Sequence, residues 1–288
     1  MKISTEINSI AKKVGDKKAV LYCAKAGFDA WDFSLSNRER IDYVNNKVYG
    51  PDGEVVTTDL ISYAKELKQI GLDNGIHCNQ SHAAFPTHRP EVKDTLKKAI
   101  EMTAVAGGKI CVVHPVNNLG PQENAKMYLE LLPFAKEHDV KIATENMWNW
   151  DPEKDVALPA ACCDEKSFVE HVDAVNDDYL VACLDIGHAE MEGLNSSAVG
   201  LIKALGAKRL KALHLHDNDL HYDSHELPMT MKINYVEVVK ALKEIGYDGY
   251  FTLEADAALK DYTPEDVFKG VLKMSEAAKK LADMFDNM

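Results

Sequence analysis

The sequence predicts an α/β fold, a closed (β/α)8 TIM barrel, on three observations. Short β-branched runs alternate with longer stretches of helical spacing, giving eight strands, each followed by a helix. No Pro/Gly/Ser-rich linker divides the chain, so residues 1–288 read as a single domain, a length that α/β barrels routinely reach. No G-x-G-x-x-G or G-K-S/T loop follows an early strand, which counts against an open doubly wound sheet.

The strands are expected at Lys2–Glu6, Phe28–Ser34, Ile76–Ser81, Lys109–His114, Lys141–Glu145, Leu180–Asp185, Leu210–His216 and Tyr250–Glu254. Between the second and third, Asp59–Ile70 repeats Leu60, Tyr63, Ala64 and Leu67 at intervals of three and four, the period of a helix with one buried face. Val92–Val105, Asn124–Phe134, Ser167–Val175, Val199–Leu205 and Tyr235–Ile245 show the same spacing. Pro90, Pro121 and Pro264 stand near helix starts, where a missing N–H costs little, and Gly71, Gly107 and Gly246 near helix ends. Two long connections, Leu35–Thr58 and Asn146–Glu165, fall on the strand-to-helix side, the catalytic face of a barrel. Both carry aromatic and charged residues, among them Tyr43, Tyr49, Trp148, Trp150 and Asp151, and are expected to cover the mouth.

Composition narrows the partners. The net charge is −13 and only four arginines occur, which weighs against nucleic acid, since phosphate backbones are held by clustered Lys and Arg. No run approaches the ~20 apolar residues of a membrane span, and the N-terminus lacks a basic region followed by an apolar run. The six cysteines show no paired-ligand spacing, so a reduced, cytoplasmic setting is expected.

The informative pattern is what ends each strand. NQSHAAF supplies His82, ICVVHP supplies His114 and KIATEN supplies Glu145. ACLDIGH supplies Asp185 and His188, ALHLHDND supplies His214, His216 and Asp217, and YFTLEAD supplies Glu254. A lone Glu at a strand end is ordinarily a salt-bridge partner or a helix cap, and a lone His a wall residue. Four consecutive strands ending this way are another matter, because ionised groups crowded into a partly dry cavity are costly unless they satisfy one another. One divalent cation held by Glu145, Asp185, His214 and Glu254 removes that cost. Its oxygen-rich shell suits Mn, Mg or Co, with Zn as a further option. Gly187 lets the chain turn so that His188 projects back toward the cavity, and Asp223-Ser224-His225 lies in the loop after strand seven.

The order Glu, D-x-x-H, H-x-H-D-N-D and L-E over strands five to eight resembles the xylose isomerase-like TIM-barrel superfamily. Within it the chain is similar to the sugar (phosphate) isomerase/epimerase group, which includes ketose 3-epimerases and hydroxypyruvate isomerases. The resemblance implies metal ligands at Glu145, Asp185, His214 and Glu254, with Glu145 and Glu254 as the catalytic acid/base pair. It also implies substrate contacts at His188 and Asp151; His82, His114 and His225 complete the expected substrate-binding set. The implied reaction moves a proton alpha to a carbonyl through an enediolate, on a small-molecule sugar, in a chain that forms a homo-oligomer in many relatives. The chain departs from ketose 3-epimerases in having no arginine after strand seven, where it reads Asp217, Asn218, Asp219, Leu220, His221. The scarcity of arginine favours a free sugar over a phosphorylated one.

Two other readings fit the same residues. A metal-dependent lyase on an oxidised sugar or glycoside needs the same metal and base. A type IV-like apurinic endonuclease with a trinuclear zinc site would use His82, His114, Glu145, Asp185, His188, His214, Asp223, His225 and Glu254, against the adverse charge.

Overall fold

The computed structural model describes residues 1–288. Its eight barrel strands are β1 (Lys2–Thr5), β2 (Ala30–Ser34), β3 (His77–His82), β4 (Ile110–Val112), β5 (Lys141–Glu145), β6 (Leu180–Asp185), β7 (Leu210–His214) and β8 (Tyr250–Leu253). All adjacent pairs run parallel, β2 through β7 in one continuous sheet and β1 beside β8. Two short parallel bridges, Glu6 to Asp32 and Leu215 to Leu253, join these pieces and close the barrel. Closure leaves no free sheet edge and brings every strand's C-terminal end to one rim.

The helices pack outside, over a continuous apolar layer that runs from Ile3 and Trp31 through Leu67, Ile100, Tyr128, Phe168 and Leu201 to Phe251 and Leu281. Leu60–Asp73 begins where Asp59 accepts hydrogen bonds from the N–H groups of Ile61 and Ser62, a standard N-cap. Gly71 does not end that helix, contrary to expectation. It is buried within it, where a Cβ would come 3.1 Å from Trp31 Nε1 and from the Ile76 carbonyl. Gly107 does take the left-handed conformation that closes Leu96–Ala106, at φ 95°. The helices Asn8–Val14, Asp16–Ala26 and Val267–Asn287 complete the outer layer.

Strands covered on both faces are ordinarily apolar up to their ends, and the strand interiors here depart from that. Ser4, Asp32, Asn79, Gln80 and Thr252 are buried inside the barrel. They hydrogen-bond to one another: Ser4 Oγ donates to Asn79 Oδ1 at 2.7 Å, and Gln80 Nε2 donates to Asp32 Oδ2 at 2.8 Å. Apolar packing in the barrel's centre is confined to small residues such as Val112, Ala143, Val181, Cys183 and Ala212.

The two long connections fold into small antiparallel sheets. Ile41–Asp42, Lys47–Tyr49 and Val55–Thr57 form one, anchored by a buried Arg40–Asp16 ion pair to which Tyr63 also donates. It does not reach the mouth: Tyr43 turns inward to donate to the Leu35 carbonyl, and Tyr49 faces a separate outer groove. The other, Trp148–Asp151 paired with Val156–Pro159, brings Trp148 to the rim. No helix is long and apolar enough to cross a membrane.

Candidate metal centre

The C-terminal rim of the barrel opens into a cavity of about 430 Å³. Glu145 and Glu254 line it from β5 and the end of β8, and the fully buried Asp185 and His214 lie close beside them. Glu145, the last residue of β5, points Oε1 to within 3.0 Å of His214 Nδ1 on β7, and Glu254 Oε2, just past β8, lies 3.3 Å from the same nitrogen. Asp185 ends β6, and its ligand atoms stand within 4.8 Å of those of Glu145, His214 and Glu254. All four come to one place because parallel strands of a barrel end at one rim.

Local structure holds each of them. Asn146 pairs with the Asp185 backbone in both directions, accepting from its N–H at 2.8 Å and donating to its carbonyl at 2.9 Å. Asp185 Oδ1 accepts the His188 N–H at 2.8 Å, capping the single turn Ile186–Ala189. Asp217, expected among the strand-end polar groups, serves instead as an anchor for the next loop. Its buried carboxylate accepts N–H groups from Asn218, Thr230, Met231 and Ile233. That loop delivers Asp223 and His225 to the cavity, with His225 held in a left-handed conformation at φ 47°.

Two further clusters flank these four residues. On one side His82 Nε2 and His114 Nε2 meet at 2.7 Å, and His114 Nε2 is 3.1 Å from Glu145 Oε2. On the other, Asp223 Oδ2 lies 3.2 Å from His188 Nε2 and 3.3 Å from His225 Nε2. His216 belongs to this second cluster: its Nε2 is 3.0 Å from Asp185 Oδ1, and its ring stacks on His225 at 3.9 Å. His216 stands at a strand end in the sequence without a predicted role, and its H-x-H spacing with His214 is the signal for one, since alternate residues of an extended strand share a face.

Charge is arranged so that the carboxylates stay ionised. Burial pushes Glu145 upward, but the imidazoles of His214 and His114 outweigh it and hold the group well below the usual carboxylate range. Glu254 is likewise lowered against burial, by His214, His82 and His225. Asp223 is lowered against burial by His188 and His225. The imidazoles answer in kind: burial opposes a charge on His225, yet Asp223 and Glu254 raise it to about 10. His188 is raised against burial by Asp185 and Asp223.

The donor set fits a divalent metal. Glu145 Oε2, Asp185 Oδ2 and Asp223 Oδ1 are buried and receive no well-formed hydrogen bond, although such groups cost about 1–3 kcal/mol each when unsatisfied, and more when charged. A cation among Glu145, Asp185, His214 and Glu254 would satisfy two of these oxygens while displacing protons from neighbouring imidazoles.

Of the residues expected to bind substrate, His82, His114, His188 and His225 line the cavity. Asp151 does not. The hairpin pairs it with Val156 and turns its carboxylate onto the Glu153 and Lys154 N–H groups, at 3.0 and 3.2 Å, with Lys154 Nζ 3.3 Å away. Its position six residues beyond Glu145 was proximity in sequence only. Phe85 and Trp148 were not anticipated as walls, yet both line the cavity, and Phe85 stacks on His114 at 4.6 Å. None of the lining residues is Lys or Arg.

The family model described as xylose isomerase-like TIM barrel matches residues 20–278. Uncharacterized protein MJ1311 of Methanocaldococcus jannaschii is 28% identical over 242 residues, covering 80% of this chain and 76% of that one. Probable endonuclease 4 of Staphylococcus carnosus is 28% identical over 180 residues, covering 56% of this chain and 58% of that one. Among solved structures, a D-tagatose 3-epimerase-like protein superposes with TM-score 0.70 at 21% identity, covering 100% of this chain and 99% of that one. IolI with a bound zinc atom superposes with TM-score 0.69 at 19% identity, with the same coverage. Likeness at these identities is likeness of fold.

Proposed function

This chain belongs to the xylose isomerase-like TIM-barrel family, and on that premise we propose that it is a divalent-metal-dependent sugar isomerase or epimerase. One observation carries the reading: two carboxylates, the buried Glu145 and the half-buried Glu254, stand 3.0 and 3.3 Å from a single imidazole nitrogen of His214 and are both held well below the usual carboxylate range by the surrounding imidazoles. Glu145, Asp185, His214 and Glu254 would hold the metal, with Mn, Mg or Co suiting the shell and Zn a further option. When bound, such an ion supplies Lewis-acid polarisation of a carbonyl and stabilises the charge that develops on an enediolate.

The chain's own residues do the proton work. One of the two glutamates takes the proton from the carbon next to the carbonyl, and the other returns one from its own side. Return to the same carbon inverts a stereocentre, while return to its neighbour isomerises the sugar. His82, His114, His188 and His225 line the cavity as hydroxyl contacts, and Phe85 and Trp148 offer flat apolar walls. A free sugar suits a cavity without Lys or Arg better than a phosphorylated one. Elemental analysis of protein purified without chelator tests the reading: about one Mn, Mg or Co ion per chain supports it, and a metal-free chain active on ketoses overturns it.

A second reading has its own support. The clusters His82–His114–Glu145, Glu145–Asp185–His214–Glu254 and His188–His216–Asp223–His225 are three ligand groups around one mouth. The similarity to a probable endonuclease 4 points the same way. A phosphodiester hydrolase with three zinc ions would use all of them. The net charge of −13 and the cavity's lack of Lys and Arg oppose it. Three zinc ions per chain, with cleavage of an abasic duplex, would establish it.

A further inference from the structure

We propose that Asp32 is a positioning residue, fixing the tautomer and orientation of His214 so that its Nδ1 is free to bind metal. The inference rests on the metal reading above but concerns a residue outside the ligand set.

Asp32 sits in the middle of β2, fully buried within the barrel. The one basic side chain within ion-pair reach is His214, whose Nε2 lies 3.4 Å from Asp32 Oδ2. Asp32 Oδ1 has no hydrogen-bond partner at all. Gln80 is the one neutral donor to this carboxylate, so an N–H from His214 adds the only charge-capable partner it has.

The neighbouring amides are oriented so that no other group competes as acceptor. Ser4 Oγ donates to Asn79 Oδ1 at 2.7 Å, leaving Asn79 Nδ2 as a donor to Gln80 Oε1 at 3.3 Å and to Thr252 Oγ1 at 3.2 Å. Thr252 Oγ1 also donates to Gln80 Oε1, at 3.4 Å. Gln80 therefore turns its Nε2 end toward both Asp32, at 2.8 Å, and His214 Nε2, at 3.2 Å. An N–H group cannot accept a proton from another. Of Gln80 Nε2 and Asp32 Oδ2, only Asp32 can accept from His214 Nε2.

The opposite nitrogen completes the argument. His214 Nδ1 faces Glu145 and Glu254, on the side where a cation would lie. Coordination through Nδ1 requires that nitrogen to be bare, which leaves the ring proton on Nε2, where it can donate to Asp32 Oδ2. A carboxylate behind a metal-bound imidazole fixes the ring and raises its basicity, and loss of such a partner typically weakens metal binding about 10–100-fold.

Two measurements test this. In calorimetric titrations with Mn²⁺, the Asp32→Asn variant is expected to bind about 10–100-fold more weakly than the wild type, with the melting curve of the metal-free protein little changed. In the imidazole NMR spectrum of Zn²⁺-loaded wild type, the His214 Nε2–H proton is expected far downfield, as for a ring N–H held by a carboxylate, a shift that a merely structural Asp32 would not produce. Equal Mn²⁺ affinity in the two proteins, or a His214 Nε2–H proton at the shift of a free ring N–H, would overturn the proposal. The spectrum needs no variant and stands even where Asp32→Asn fails to fold. Wild-type protein that takes up neither ion would overturn the metal reading itself, and this proposal with it.

Discussion

His82 and His114 meet Nε2 to Nε2 at 2.7 Å, a contact that holds only when one nitrogen carries a proton and the other does not. Their surroundings differ: burial lowers His114, while Glu254 and Glu145 raise His82 in spite of its burial. Under the proposed function His114 lines the cavity as a substrate contact. His114→Ala should raise KM by about 3–10-fold, the value of one hydrogen bond, and leave one metal ion per chain. Steady-state kinetics with elemental analysis checks this; loss of an ion along with the imidazole would favour the three-zinc reading.

The two glutamates should be separable from their metal. Glu145→Gln and Glu254→Gln each keep the volume and one oxygen but cannot take a proton. Each is expected to lower kcat by about 10²–10⁴-fold, with KM changed far less. Undiminished turnover in either variant would remove the two-base account.

Gly187 is a packing requirement, not a hinge. A Cβ there would stand 1.9 Å from His216 Cε1, so Gly187→Ala must displace the ring that contacts Asp185 and stacks on His225. The expected loss is about 1–3 kcal/mol, in the range of overpacked cores, read by calorimetry as a Tm lower by several degrees. A variant as stable as the wild type would show that the His216 stack moves freely.

Glu6 makes stability depend on pH. Burial raises its carboxyl well above the usual range, with Asp256 and Asp32 adding repulsion. The folded chain thus holds a proton that the unfolded chain releases near its ordinary value of about 4.3. Stability accordingly falls as pH rises from that ordinary value toward the raised one. Glu6→Gln retains an acceptor for the Asn8 N–H and removes the loss. Its Tm should exceed that of the wild type by at least about 2 °C at pH 8, equivalent to about 1 kcal/mol, with no gain at pH 3.5. A gain of equal size at both pH values would point to packing instead of charge.

Strand ends were the legible part of this chain. Glu145, Asp185, His214 and Glu254 each close an apolar run, and a barrel leaves the ends of such runs nowhere to go but one rim. The barrel interior was harder to read. In AWDFS and HCNQSH, polar residues lie among others that are also buried, because both faces of a barrel strand are covered and alternation no longer separates inside from outside. A carboxylate between Trp31 and Phe33 is the one sequence signal for Asp32. Asp151 failed for another reason: a hairpin register decides where its carboxylate points, and spacing from Glu145 carries no information about that register. Asp16–Ala26 escaped the helix reading because its buried face, Ala19, Val20, Cys23 and Ala26, is made of small side chains with little hydrophobic contrast.

The central claim is proton transfer at carbon by Glu145 and Glu254 with a bound divalent ion. Mn²⁺-loaded wild type, Glu145→Gln and Glu254→Gln, incubated with a panel of free ketoses in D₂O and followed by NMR, test it directly. The account predicts deuterium at the carbon next to the carbonyl in the wild-type product and its loss in both variants. Conversion of a ketose without solvent deuterium, or exchange undiminished in the variants, would contradict it.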